Sequence, residues 1–223
     1  MPFRLSPSTL GLFTECPRCF WLDYVKNIKR PRTIFPSLPS GMDRLFKKNF
    51  DSYRKKGQLP PELCTVGKEV SLFGDRSLLD VWRNNFRGIS WADRDGNILR
   101  GAVDDVLQKG DKLIVLDYKT RGFPLKDDTA KWYQDQLNTY TYLLRKNNYE
   151  TEDYAYLLFY HPTGINDGGS ISFQADLVTV DVNPLDAEKL FEKALETLNG
   201  PMPAPAEGCE FCRWATGYHK ECG

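Results

Sequence analysis

Residues 99–121 constrain the fold of this chain more than any other segment. Two apolar runs rich in β-branched residues flank residues 108–111, a short connection with Gly and Asp that is typical of a β-hairpin. We therefore expect two antiparallel strands, with Asp104 or Asp105 on the first and Asp117 and Lys119 on the second. Asp117 and Lys119 are two positions apart and so share one face of their strand. Charged groups in such an apolar strand are costly unless they pair or bind a ligand.

Two carboxylates and an ammonium group that meet at one point suit the hydrolysis of phosphodiester bonds with a divalent metal ion. Carboxylate oxygens bind Mg²⁺ or Mn²⁺, whose remaining ligands are water and phosphate oxygens. Such an ion lowers the pKa of a bound water and stabilises negative charge in the transition state, while a lysine orients the water. The same pattern is also compatible with a buried Asp–Lys pair that binds nothing. Strand spacing alone leaves both interpretations open.

Three short motifs resemble those of the PD-(D/E)XK nuclease superfamily, and within it the RecB-like branch. Residues 101–104 (Gly-Ala-Val-Asp) match its Gly-x-hydrophobic-Asp motif, and residues 117–120 (Asp-Tyr-Lys-Thr) match its Asp-x-Lys motif. Residues 136–140 match the Gln-x-x-x-Tyr motif of the helix that follows. Gln and Tyr four positions apart lie on one helical face and can point to the same strand ends.

The resemblance implies an α/β fold with a restriction-endonuclease-like core, in which helices flank a central mixed sheet, and a cysteine-rich staple at the chain ends. It implies cleavage of DNA with Mg²⁺ or Mn²⁺. Lys119 would position the attacking water. Gln136 and Tyr140 would contact the scissile strand or steady Lys119.

The resemblance also implies the metal ligands. Asp104 and Asp117 would hold the ion together with the backbone carbonyl of Tyr118. Related nucleases contribute a further ligand from a helix before the sheet, and Asp43 is the candidate for it here. Asp105 points to the other face of the strand, and we expect it to tolerate substitution.

Positive charge is concentrated in the first 60 residues, although the chain of 223 residues has a net charge of zero. Residues 1–60 contain twelve Lys and Arg against four Asp and Glu, a balance of +8 that leaves −8 for the remainder. Many of these charges lie on the exposed side of a helix predicted over 40–56. They form either a solvated face or a wall for a phosphate backbone. The neutral total argues against tight, sequence-indifferent coating of DNA.

The length and the hydrophobic content of 41% predict one domain over residues 1–223. It would comprise a basic helical part (1–60), a catalytic α/β core (61–200) and a cysteine-rich tail (201–223). Ser6 and Pro7 predict a helix start, and Pro17 predicts a break in that helix. Further predicted helices cover 129–146 and 185–198. Predicted strands cover 98–107, 112–120, 154–160 and 171–182.

Cysteines at two Cys-x-x-Cys pairs predict a metal site rather than disulfides, because the chain shows no export signal. Similar RecB-like nucleases carry a 4Fe-4S cluster, and the resemblance implies that its ligands are Cys16, Cys209, Cys212 and Cys222. Zinc is the alternative. The zinc ligands would be Cys209, Cys212, His219 and Cys222, or Cys16, Cys19, Cys209 and Cys212.

The sequence contains no apolar run of about eighteen residues and no signal-peptide pattern at its N-terminus. We therefore expect a cytoplasmic protein with no membrane partner. The leading hypothesis is an exonuclease that acts on single strands or DNA ends. A helicase, or a CRISPR-adaptation or repair complex, is the candidate partner. The second hypothesis is a non-cleaving nuclease-fold module that binds DNA or scaffolds such a complex, with structural zinc. A third is a structural metalloprotein unrelated to nucleic acid.

Overall fold

The computed structural model describes residues 2–31, 34 and 36–222, and for residues 220–222 it describes the backbone alone. The helices are α1 (Pro7–Glu15), α2 (Pro17–Lys26), α3 (Ser37–Lys55), α4 (Arg76–Trp82), α5 (Gln134–Lys146), α6 (Pro184–Asn199) and α7 (Glu210–Cys222). The strands are β1 (Arg4–Leu5), β2 (Val70–Leu72), β3 (Ile89–Ala92), β4 (Ile98–Gly101), β5 (Asp105–Lys109), β6 (Lys112–Thr120), β7 (Tyr154–Ile165) and β8 (Ile171–Asp181).

Five of the strands form a mixed sheet in the order β2-β5-β6-β7-β8. The central pair β6–β7 is parallel, and its neighbours β5 and β8 are antiparallel to it. A smaller sheet of three strands has the order β1-β4-β3. The predicted α/β fold, with a restriction-endonuclease-like mixed sheet flanked by helices, is confirmed.

The predicted hairpin is present as β5 and β6, but its first strand is shorter than expected. Gly110 has a φ of 57° in the turn, which a glycine adopts without strain. The strand predicted over 98–107 is instead two strands, because β4 belongs to the small sheet and β5 to the large one. Asp104 lies at the break between them, and its side chain accepts a hydrogen bond from the backbone N–H of Tyr118 at 3.0 Å.

The large sheet separates two hydrophobic clusters, and alternation along β6 decides which residue faces which cluster. Leu113 and Val115 face the cluster formed with α1, α5 and α6. Ile114, Leu116 and Tyr118 face the cluster formed with α3. By the same period of two, Asp117 and Lys119 point toward α5.

Helix starts follow the capping residues of the sequence. Ser6 caps α1 and Pro7 occupies its first turn, and a second helix begins at Pro17, so the predicted break is confirmed. The helix predicted from residue 129 begins at Gln134, after a 3₁₀ turn over Thr129–Tyr133. Helix α7 was not predicted, because the sequence offered only a proline-rich connection and cysteines there.

The two ends of the described chain lie together. The Arg18 Nε–H donates to the carbonyl of Pro203 at 2.9 Å, and the Trp21 Nε1–H donates to the carbonyl of Gly200 at 3.1 Å. Within the described ranges, every helix is too short or too polar to cross a membrane.

Candidate active site and cysteine cluster

The carboxylate of Asp117 and the ammonium group of Lys119 meet under the start of α5. Lys119 Nζ is in ion-pair contact with Asp117 Oδ2 and donates to Gln136 Oε1 at 3.0 Å. The Gln136 amide donates in turn to Asp117 Oδ1 at 3.2 Å and to the Tyr140 hydroxyl at 2.9 Å. The side chain of Gln136 therefore orients Asp117, Lys119 and Tyr140 together.

Close approach of α5 to β4 requires the glycine of the first motif. A Cβ atom at Gly101 would lie 2.7 Å from a ring carbon of Tyr140, which is closer than atoms of these types approach. Tyr140 is 6% exposed, and this burial raises the pKa of its hydroxyl far above the ordinary value. The tyrosine is thus a neutral hydrogen-bonding group at the site.

Asp104 reaches the same site from the break before β5. Its Oδ1 atom is 2.9 Å from Lys47 Nζ, and its Oδ2 atom accepts from the Tyr118 backbone. Lys47 also lies 2.8 Å from Asp43 Oδ1, one helical turn earlier in α3. Asp43 is therefore linked to Asp104 through an ammonium group. Sequence reasoning placed Lys47 on the basic side of the predicted helix but did not predict its contact with Asp43, although a spacing of four positions was a signal for that pair.

Burial is the largest cause that raises the pKa of Asp117 from 3.8 to about 7, and the negative charge of Asp104 adds to the effect. The ammonium group of Lys119 acts in the opposite direction. For Lys47, burial acts to lower the pKa, but the carboxylates of Asp104 and Asp43 raise it. The site contains three carboxylates, of Asp43, Asp104 and Asp117, but two ammonium groups, of Lys47 and Lys119.

The donor set fits a hard divalent cation. Asp117 Oδ2 is fully buried, and its ion-pair contact with Lys119 Nζ does not have the geometry of a hydrogen bond. Three carboxylates against two ammonium groups leave a formal charge of −1 among Asp43, Asp104, Asp117, Lys47 and Lys119. Carboxylate oxygens are the ligands that Mg²⁺ and Mn²⁺ prefer. The side chain of Tyr118 points away from these groups, toward α3, so only its backbone remains a candidate ligand.

Asp105 has a structural place that contradicts the expected tolerance to substitution. Its carboxylate is 0% exposed and is paired with Arg54 of α3 and with Arg83 after α4. The Tyr118 hydroxyl donates to the same carboxylate at 2.7 Å. Asp105 does point to the other face of the sheet, but that face is covered by α3. Its charge therefore depends on these partners.

Four thiols form the second cluster, with their Sγ atoms within 4.8 Å of one another. They belong to Cys16, Cys19, Cys209 and Cys212. The Sγ atom of Cys19 is 3.6 Å from those of Cys209 and Cys212, and the Sγ atoms of Cys16 and Cys212 are 3.8 Å apart. The side chain of Cys222, a predicted ligand, lies outside the described residues.

Burial raises the pKa of the Cys19 and Cys212 thiols; at Cys16 burial acts in the same direction, but hydrogen bonds lower the pKa of the thiol to about 6. Cys16 and Cys19 flank the first turn of α2, and Cys209 and Cys212 flank the first turn of α7. The positive end of a helix dipole stabilises thiolates. The Arg30 guanidinium adds a positive charge, since it donates to Cys209 Sγ at 3.6 Å. This cluster has the ligands for a metal and joins the two chain ends.

A family model described as the PD-(D/E)XK nuclease superfamily matches residues 38–216. This span contains Asp104, Asp117, Lys119 and the helix with Gln136. The chain belongs to the PD-(D/E)XK nuclease superfamily. Membership implies nuclease activity on nucleic acid in general, and nucleases of this superfamily use divalent metal ions.

Among solved structures, the crystal structure of SSO0001 is similar to this chain with a TM-score of 0.46 and 15% sequence identity, over 96% of this chain and 84% of that one. No curated protein matches the sequence at a significant level. The structure brings together Asp104, Asp117, Lys119, Gln136 and Tyr140. It places Asp43 at the edge of this group, behind Lys47.

Proposed function

We propose that this PD-(D/E)XK protein is a Mg²⁺- or Mn²⁺-dependent deoxyribonuclease of the RecB-like type, which acts on single strands or DNA ends. The observation that carries the proposal is the buried carboxylate of Asp117, which has a raised pKa and contacts the ammonium group of Lys119 through its Oδ2 atom. A buried carboxylate with a raised pKa is costly in a folded protein. A divalent cation would offset that cost.

Each side chain has a defined task in the proposed reaction. Asp104 and Asp117 would hold the ion, with the Tyr118 carbonyl as a further ligand. When bound, the ion supplies a water of lowered pKa and a positive charge beside the phosphate. Lys119 orients the attacking water, and Gln136 keeps the ammonium group in place through its Oε1 atom. Gln136 also donates to Asp117 and to Tyr140, so one side chain positions these groups before substrate binds.

A basic groove beside the site supports a nucleic-acid substrate. The groove has a volume of about 720 Å³ and follows α3 and α4. Seven basic residues and two acidic residues line it, a formal charge of +5. Its Lys47 also contacts Asp104, so the groove reaches the proposed metal site. Phosphates held there would lie next to the reacting centre.

For the cysteine cluster we propose a structural role with zinc. A tetrahedral zinc ion with Zn–S bonds of about 2.3 Å separates its sulfurs by about 3.8 Å. The sulfurs of Cys19 and Cys209 are 3.6 Å apart, which fits that spacing. A 4Fe-4S cluster binds each thiolate to a different iron and needs the thiols further apart.

The nuclease proposal is tested by cleavage of end-labelled single-stranded DNA with Mn²⁺. We expect Asp104→Ala and Asp117→Ala to abolish cleavage, and Lys119→Ala to reduce it by about 10²–10³-fold. Asp111→Ala is the control, because this carboxylate lies exposed in the β5–β6 turn. Undiminished cleavage by the first three variants would contradict the proposal.

The non-cleaving module remains the second candidate, and one contact favours it. Lys47 already places a positive charge between Asp43 and Asp104, as a bound cation would. DNA binding that is unaffected by the removal of Mg²⁺ and Mn²⁺, without cleavage under any metal, would support this candidate. Such a module would bind DNA or scaffold a CRISPR-adaptation or repair complex.

A further inference from the structure

A second groove reaches the same site from the opposite side. It has a volume of about 1040 Å³ and lies between α1 and the start of α5. Its lining includes Gln136 and Tyr140, and Gln136 donates to the carboxylate of Asp117. A molecule in this groove would therefore end at the proposed reacting centre.

The groove presents an exposed aromatic ring. Trp132 is 83% exposed and lies four positions before Gln136, in the 3₁₀ turn that precedes α5. The next residue, Tyr133, is occupied in holding the active site, because Lys119 Nζ lies 4.5 Å from the centre of its ring. Trp132 instead offers a large flat face to whatever enters the groove.

The two grooves differ in charge, and so in the part of a nucleic acid that each can bind. The groove along α3 and α4 has a formal charge of +5. The charged residues that line the second groove are Arg100, Glu15 and Asp135, a sum of −1. A phosphate backbone is attracted to the first groove and not to the second. The second groove is therefore suited to the neutral bases of a strand whose backbone is held elsewhere.

We propose that the groove between α1 and α5 binds unpaired nucleotides of a single strand, with one base stacked on Trp132. The inference rests on the proposed nuclease function and assigns its substrate as single-stranded next to the cleaved bond. A base presents its whole face to a protein ring only when it is unpaired and unstacked. A duplex would keep its bases within the stack and away from Trp132.

The test is the affinity for a short fluorescent oligonucleotide, measured by anisotropy in buffer without Mg²⁺ or Mn²⁺. Loss of one base–aromatic stack weakens binding by about 5- to 150-fold, which is the change expected for Trp132→Ala. Trp132→Phe should bind nearly as the native protein does. Trp214→Ala is the matched control, since this tryptophan is 66% exposed but lies in α7, away from the groove. It should leave the affinity unchanged.

Two results would overturn the inference. One is unchanged affinity of Trp132→Ala for the single strand, and the other is an equal loss of affinity for a duplex of the same sequence. The binding assay needs no cleavage. If the native protein cleaves single-stranded DNA while Trp132→Ala binds normally, the inference fails and the nuclease function stands. If the native protein binds through Trp132 but cleaves nothing, the inference stands and the nuclease function fails.

Discussion

Replacement of Asp117 by asparagine should stabilise the protein in the absence of divalent ions while it abolishes catalysis. Burial and the charge of Asp104 raise the pKa of Asp117 from 3.8 to about 7. The folded protein therefore keeps a proton on this carboxyl up to about pH 7, whereas the unfolded chain releases it near pH 3.8. Because the folded state binds more protons in this window, the free energy of unfolding falls as the pH rises.

The magnitude follows from the size of the pKa change. Each tenfold change in proton affinity is worth about 1.4 kcal/mol, so a rise from 3.8 to about 7 costs about 4 kcal/mol above pH 7. Asp117→Asn carries no proton to lose and keeps the shape of the neutral carboxyl. Its advantage over the native protein should be near zero around pH 4 and about 4 kcal/mol by pH 8.

Urea unfolding, followed by tryptophan fluorescence in buffers free of Mg²⁺ and Mn²⁺, measures this difference across the pH range. Asp111→Asn is the control and should follow the native protein at every pH, because its carboxylate is exposed. Addition of Mn²⁺ at about a hundred times its dissociation constant should stabilise the native protein by about 2.7 kcal/mol and leave Asp117→Asn unchanged. Parallel pH curves for the native protein and Asp117→Asn would refute the reasoning.

Three further changes test other parts of the structure. Asp105→Ala removes one of the two carboxylates, Asp105 and Asp51, that the buried Arg54 and Arg83 share, so the free energy of unfolding should fall by about 3 kcal/mol, and a loss within error of zero in urea unfolding would contradict the assignment. Lys47→Met should raise the affinity for Mn²⁺, measured by calorimetry, roughly tenfold. The charge-assisted hydrogen bond from Lys47 to Asp104, worth about 1.5 kcal/mol, then no longer has to be broken. Lys48→Met, on the exposed side of α3, is the control. Cys19→Ser should remove zinc from the purified protein by elemental analysis, and Cys64→Ser should retain it; a brown native protein with iron would disprove the zinc assignment.

The sequence was sufficient for the central strand pair and for the groups that face α5. Period two along an apolar strand put Asp117 and Lys119 on one face, and helical spacing put Gln136 and Tyr140 on one face of a helix. The prediction that these two faces would meet came from the resemblance to the nuclease motifs. The hairpin turn was readable because a glycine with a positive φ leaves few other choices.

Contacts between distant elements were not readable. Lys47 meets Asp104 across 57 positions, and no local period fixes how α3 is rotated against the sheet. The unpredicted rotation of α3 also explains why Asp105 was wrongly expected to tolerate substitution. Its strand face was predicted correctly, but only the packing of α3 and α4 shows that this face is covered. The shorter first strand has a related cause, because β4 pairs with β1 from the far N-terminus.

The thiol cluster ties residues that are 190 positions apart in the chain, Cys19 and Cys209, into one small volume. Helix α1 ends at Glu15, one residue before Cys16, and forms a side of the groove that carries Trp132. The four sulfurs therefore fix the end of the helix that forms this side of the groove. Loss of the metal proposed for this cluster would release that end of α1, whereas Asp104 and Asp117 lie on other elements, the break before β5 and strand β6.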